Sequence, residues 1–246
     1  MKTAEFQAKG SLRQYARSSP TAFGLIGRMR EDAKYERRVV RRGDDLVIEG
    51  YPRSANSFAT QAFRMAQPSE LLIGNHTHAA GQVVRAAKFG IPCMLVVRSP
   101  REAIASFLVY HDGALDPMRA IAEYCDFYAA ALKHSDHWTH ATFDEVTRDF
   151  SVSIERLNRR FGTTYAPYEN SAENDAQVRS YLDTKRKSLA LDRGQDDRAS
   201  ALKATIPSEI KKRRRESLVA QLDSPRAESA LAEAEELYGW VTRDAI

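Results

Sequence analysis

Cysteine is scarce: two in 246 residues, Cys93 inside an apolar run and Cys125 inside a segment of helical period. That excludes a disulfide framework and a paired-cysteine metal motif, and it suits a reducing cytoplasm. Long apolar runs are missing too. No stretch approaches the roughly 18 residues needed to cross a bilayer, and the opening MKTAEFQAKGSLRQYARSS has no apolar centre of the kind a secretion signal carries. A soluble cytoplasmic protein with no transmembrane segment is expected. No internal repeat or low-complexity tract stands out. Nor is the charge strongly one-sided: 37 Lys and Arg against 33 Asp and Glu leave a formal net charge of +4, concentrated in ERRVVRR and KKRRR. This favours an anionic partner without naming it.

What is present is 43% hydrophobic content, enough for a sizeable core in one domain over 1–246. FGLIGRMREDAKYERRVVRR reads as one or two helices, so that 1–44 forms a helical N-terminal extension. Over 45–162, strands and helices alternate. DLVIEG reads as a buried strand and SFATQAFRMAQ as a helix; ELLIG is a short apolar piece, and GQVVRAAKFG is a helix closed by Gly90. IPCMLVV is a continuous apolar strand of the kind found in parallel sheets covered on both faces. SPREAIASFLVY follows as a helix opened by Ser99 as N-cap, Pro100 at the first position and Glu102 three residues after the cap. RAIAEYCDFYAAALKHS is helical, WTHATF a short strand, and VSIERLNRRFG a helix ending at Gly162. Such alternation implies βαβ crossovers, hence an α/β fold with a doubly wound parallel sheet flanked by helices and ligands at the carboxyl ends of its strands. Over 163–246 the chain reads as a mobile excursion, polar and aperiodic from about Asn170 to Ala204, then two C-terminal helices, IPSEIKKRRRESLVAQL and SPRAESALAEAEELYGWV.

The stretch GYPRSANSF, where the first strand empties into a helix, suggests an anion site, because a helix N-terminus offers free N–H groups and a positive dipole end. It matches the phosphate loop G-x-x-x-x-G-K-[ST] at Gly50 and Ser57, but Ala55 and Asn56 stand where glycine and lysine belong. A magnesium-dependent kinase also needs a carboxylate, usually at the end of a neighbouring strand, and CMLVV ends instead in Arg98. Phosphate handling without metal is the expectation.

The same residues resemble a known family. YPRSANSF is similar to the PKSGTTW loop of sulfotransferases that use 3′-phosphoadenylyl sulfate (PAPS), and VVRSPREAIASF resembles their second motif, an arginine at a strand end with a serine eight residues later. HTHAA is similar to the family's KTHLP, and WTHATFDEV with IERLNRRFG resembles the later strand, turn and helix; the likeness covers about Asp45 to Gly162. It implies a P-loop NTPase-like sulfotransferase fold. By resemblance, Arg53, Ser54, Ala55, Asn56 and Ser57 wrap the 5′-phosphosulfate, Phe58 lies on or near the adenine, and Arg98 and Ser106 hold the 3′-phosphate. His78 takes the general-base position and His76 that of a lysine. Arg53 would hold the bridging oxygen as it leaves, stabilising charge without donating a proton. PAPS is then the donor, adenosine 3′,5′-bisphosphate (PAP) the product, and a hydroxyl on a small molecule or glycan the acceptor. Ala55, in place of a glycine, must keep a negative φ or accept strain. The family's C-terminal RKG segment is matched only loosely, by Arg193-Gly194.

Other readings stand beside this one. His76 and His78 would share one face if extended, which allows a metal pair. His134, His137 and His140 recur every third residue beside Asp136, but they straddle a helix end and a strand and need not converge. KKRRR reads as a solvated helix face or as an attractor of anions. A divergent nucleotide kinase is one alternative function. A basic nucleic-acid-binding module is another, although no aromatic residue interleaves with KKRRR and no recognition motif appears.

Overall fold

The computed structural model describes residues 23–24, 38–192, 202 and 209–243. Four strands, β1 (Leu46–Glu49), β2 (Ile73–Asn75), β3 (Cys93–Val97) and β4 (Thr139–Thr142), form a parallel sheet in the order β2-β1-β3-β4. Val47 lies opposite Cys93, Ile48 opposite Asn75 and Leu95 opposite His140. All of β1 and β3 is buried. Side chains alternate across the pleat: Leu46, Ile48, Met94 and Val96 enter one core, and Val47, Cys93, Leu95 and Val97 the other. Two covered faces explain why these runs read as continuously apolar. Each large side chain so buried contributes about 1.5–3 kcal/mol.

Helices cover both faces. On the first lie α1 (Asn56–Ala66), through Phe58, Ala59, Ala62 and Phe63, and residues of α5 (Phe143–Arg148) and α6 (Phe150–Phe161). On the second lie α2 (Ala80–Phe89), α3 (Pro100–Tyr110) and α4 (Pro117–Leu132). Gly90 (φ 67°) and Gly162 (φ 66°) close α2 and α6 in the left-handed conformation, as their sequence positions imply. β1 leads outward to β2, whereas β3 leads to β4 on the other side. The carboxyl ends of β1 and β3 therefore flank a switch point.

Three sequence expectations are corrected. ERRVVRR is not helical where it is described: Arg38 forms an antiparallel bridge with Asn75, and Val39 and Val40 are fully buried. The Gln82 side chain satisfies this segment, donating to Arg38 O (2.7 Å) and accepting from the Val40 amide (3.1 Å). The helices expected before it lie outside the described residues, apart from helical Phe23 and Gly24. Secondly, the excursion from Asn170 contains a 21-residue helix, α7 (Ala172–Asp192). Val178 and Leu182, four residues apart, join the core against α1, Ala190 is buried further along, and ion pairs such as Arg179–Asp175 and Lys187–Asp183 run along the helix. So narrow an apolar stripe leaves almost no period to read. The rest of that stretch, Arg193-Gly194 included, is outside the described residues except for buried Leu202. The chain ends with α8 (Glu209–Val219) and α9 (Pro225–Val241), which pack against α3 and α4.

Thirdly, Ser99 and Pro100 do start α3, but the Ser99 side chain caps nothing, and Glu102 turns to Arg98 and Arg215. The capping box is at Thr142, whose hydroxyl accepts from the Glu145 amide (3.2 Å) while Glu145 accepts from the Thr142 amide (2.8 Å). Burial alone would raise the Glu145 pKa; hydrogen bonds from Arg156 and the Thr142 amide, with the Arg156 and His140 charges, outweigh it and lower the value from 4.5 to about 2. A carboxylate depressed on folding stabilises the protein above its unfolded pKa, and that stability is lost as pH falls through the folded value. Glu145→Gln should cost about 2–3 kcal/mol in urea unfolding at pH 7, and much less at pH 2, where the wild-type acid is half protonated. An equal cost at both pH values would show that charge is not the cause.

Candidate functional site

The loop from Gly50 to Ala55 crosses the carboxyl ends of β1 and β3. A Cβ on Gly50 would lie 2.1 Å from Val96 O, so only glycine passes so close to β3. Asn56 Nδ2 donates to Tyr51 O (2.9 Å), and Tyr51 OH donates to Ala120 O (3.0 Å), which ties the loop to its own helix and to α4. Ala55, at the N-cap of α1, has φ 78°, and Arg53 has φ 70°. The loop therefore accepts the strain, at a cost on the order of 1–3 kcal/mol per residue. No side chain caps α1, so its first amides keep their capacity for an external acceptor.

Alternation decides which loop residues face outward. Arg53, Ala55 and Ser57 are half-buried, whereas Ser54, Asn56 and Phe58 are buried. Phe58 packs edge-on against Tyr168, with their ring centroids 6.3 Å apart. Asn56 clasps the loop from within.

Arg98, immediately after β3, and Ser106, on α3, meet through Arg53 rather than directly. Arg53 Nε donates to Ser106 Oγ (3.2 Å), and Arg98 Nη1 donates to Arg53 O (3.3 Å). The Arg53 guanidinium lies 5.4 Å from the Tyr110 ring centroid, and that of Arg98 lies 4.2 Å from the Phe143 centroid. Tyr124 OH donates to Arg98 O (2.8 Å) and Tyr128 OH to Val96 O (3.0 Å), holding the end of β3 from α4. Burial lowers the Arg53 pKa, opposed by Tyr110 and reinforced by the Arg98 charge. Burial also lowers that of Arg98, opposed chiefly by Glu102 and reinforced by Arg215. Glu102 bridges Arg98 and Arg215, the latter reaching in from α8. Guanidinium groups that repel one another in this way create a field that a bound anion would relieve. Within KKRRR, Arg214 likewise reaches Asp112, while Lys212 and Arg213 stay exposed, so the motif is only partly a solvated face.

Across the loop, His76 (φ 56°) and His78 (φ 47°) are left-handed rather than extended, so they do not share a strand face. His76 Nε2 and Ser57 Oγ share a 2.9 Å hydrogen bond. His78 Nδ1 lies 2.9 Å from Gly50 O and 3.5 Å from Glu49 Oε1. His134 precedes a short turn (Ser135–His137), and His137 is exposed while His140 is buried in β4. Among the described residues, no three side chains are grouped to hold a metal ion. None of their helices is long and apolar enough to cross a membrane.

Sequence reasoning missed Glu49, Glu102, Tyr124 and Tyr128. An acid closing an otherwise apolar strand, and tyrosines four residues apart on a helix, were the available signals.

No family model matches the chain, and no curated protein matches it. Among solved structures, mouse sulfotransferase SULT7A1 complexed with PAP superposes with a TM-score of 0.41 and 14% sequence identity, over 80% of this chain and 90% of that one. The likeness is loose, and the geometry of the site carries the functional reading.

Proposed function

We propose that the chain is an anion-transfer enzyme of the P-loop-like α/β kind, specifically a sulfotransferase that uses PAPS as donor and releases PAP. The carrying observation is the convergence of Arg53, Arg98 and Ser106 from two separate segments at the loop that leads into the uncapped α1. Such a cluster fits a ligand bearing phosphates at two places. The donor, when bound, supplies a sulfuryl group whose bond to the phosphate oxygen breaks as the acceptor hydroxyl oxygen bonds to sulfur. The α1 amides and Arg53 meet the negative charge that gathers on the departing phosphate. Arg98 and Ser106 hold the phosphate at the far end of the nucleotide. His78 takes the acceptor's proton, a role for which imidazole suits neutral pH. The acceptor is a hydroxyl of a small molecule or glycan. Arg98, at the end of the strand beside the loop, disfavours the nucleotide-kinase reading, since a cation there repels rather than ligates magnesium.

A thermal-shift comparison tests this reading. PAP should raise the melting temperature more than ATP with magnesium does, and generic DNA or RNA should give no retardation in a gel. A larger shift with ATP and magnesium would favour the kinase, and salt-sensitive retardation the nucleic-acid module.

A further inference from the structure

β1 ends in a carboxylate that the sulfuryl-transfer scheme leaves without a role. Glu49 is fully buried. Burying an acid at the end of an apolar strand is costly unless its oxygens are well satisfied, and here they are. Oε1 accepts from the Gly50 amide (3.2 Å); Oε2 accepts from the Thr77 amide (2.9 Å) and the Thr77 hydroxyl (2.6 Å). The carboxylate thus clasps the start of the anion loop to the turn that carries His76 and His78. That turn needs a clasp, because both histidines adopt a left-handed conformation that costs on the order of 1–3 kcal/mol each.

The second oxygen contact decides more. Gly50 O can only accept, so the 2.9 Å bond requires His78 Nδ1 to carry the hydrogen. This fixes the tautomer and leaves the lone pair on Nε2. The same Nδ1 lies 3.5 Å from Glu49 Oε1. Around the ring stand this carboxylate from β1, the Gly50 carbonyl from the loop, and the His76 ring from its own turn, edge-on at 5.8 Å between centroids.

We infer that Glu49 is a positioning residue: it fixes the loop and the histidine turn so that Gly50 O keeps His78 as the Nδ1–H tautomer, and its charge stabilises the imidazolium formed when Nε2 takes up a proton. The inference deepens the sulfotransferase reading, resting on it for the origin of that proton, which is the acceptor hydroxyl. The proton moves from the acceptor oxygen to Nε2, the other proton stays on Nδ1 and donates to Gly50 O, and the new positive charge faces the buried Glu49 carboxylate.

The test follows His78 by NMR in histidine-labelled protein, assigned through His78→Asn, comparing wild type with Glu49→Gln and Glu49→Asp. His78 should take up a proton less readily in Glu49→Gln than in the wild type, with Glu49→Asp in between. Should Glu49→Gln fail to fold, the aspartate variant against wild type reads the same charge at a greater distance. Turnover in Glu49→Gln should drop about 10- to 100-fold, with PAP binding within about twofold and the low-pH limb of the rate profile moved to lower pH. An unchanged His78 midpoint in the folded variant, accompanied only by a lower melting temperature, overturns the inference and leaves Glu49 a structural clasp. A lowered midpoint in a protein that transfers no sulfuryl group upholds the positioning role and sinks the sulfotransferase reading instead.

Discussion

Arg98→Ala is expected to abolish most of the thermal stabilisation that PAP confers, weakening its binding by about 10- to 150-fold. The magnitude follows from losing a charge-assisted hydrogen bond to phosphate, about 1.5–3 kcal/mol in a partly desolvated setting. The Arg98 side chain is 21% exposed and stacked on Phe143, so it is held where it is rather than free to rearrange. Ser106→Ala removes a neutral partner of Arg53 and should cost only a few-fold. Glu102→Gln should act in the opposite direction. Its carboxylate competes with an incoming phosphate for Arg98 and repels it, so neutralising it should tighten PAP a few-fold. Ligand-free melting curves separate binding from folding, and Arg98→Lys, which keeps the charge but not the fork, should lose part of the affinity. An unchanged PAP shift in Arg98→Ala would remove this residue from the site, and weaker binding in Glu102→Gln would show that the carboxylate supports the site rather than competing for it.

The parts of this molecule that could be read from sequence are those where a single physical cause dominates. β1 and β3 were legible because strands covered on both faces must be apolar throughout, and α2 and α6 ended where a glycine could turn left-handed. The segment at Val39 and Val40 was misread because its basic neighbours resemble a helix surface. Its true character depends on Asn75 and Gln82, far along the chain. α7 was missed because so few buried apolar residues in 21 leave no amphipathic period. In the candidate site, Arg53, Arg98, Ser106 and His78 stood out because the motifs around them resemble those of the sulfotransferases. Glu102 was read as a cap because S-x-x-E is the motif for one; the guanidinium groups of Arg98 and Arg215 compete for that carboxylate and hold it. Left-handed backbone at Arg53, His76 and His78 was not legible, since none of these residues advertises a positive φ as glycine does; at Ala55 it was one of two readings, because alanine stands where the resembling loop has glycine.

That strain shapes the second large effect, the loss of turnover when His78 is replaced. His78→Ala should reduce kcat by about 10²- to 10⁴-fold, the usual worth of a general base, while PAP binding stays within about threefold. Binding should survive because the proposed anion contacts, Arg53, Arg98, Ser106 and the α1 amides, do not include His78. Alanine at φ 47° keeps the strain but loses the bond to Gly50 O, so the turn could relax and blur the result. His78→Asn is the sharper variant. Asparagine tolerates left-handed backbone better and its amide can still donate to Gly50 O, yet it has no group that takes up a proton near neutrality. Both variants should lose the low-pH limb of the kcat/KM profile together with the rate. A fall in PAP binding that matches the fall in turnover, in the asparagine variant as in the alanine one, would make His78 a structural support for the loop and leave the proton acceptor to be sought elsewhere.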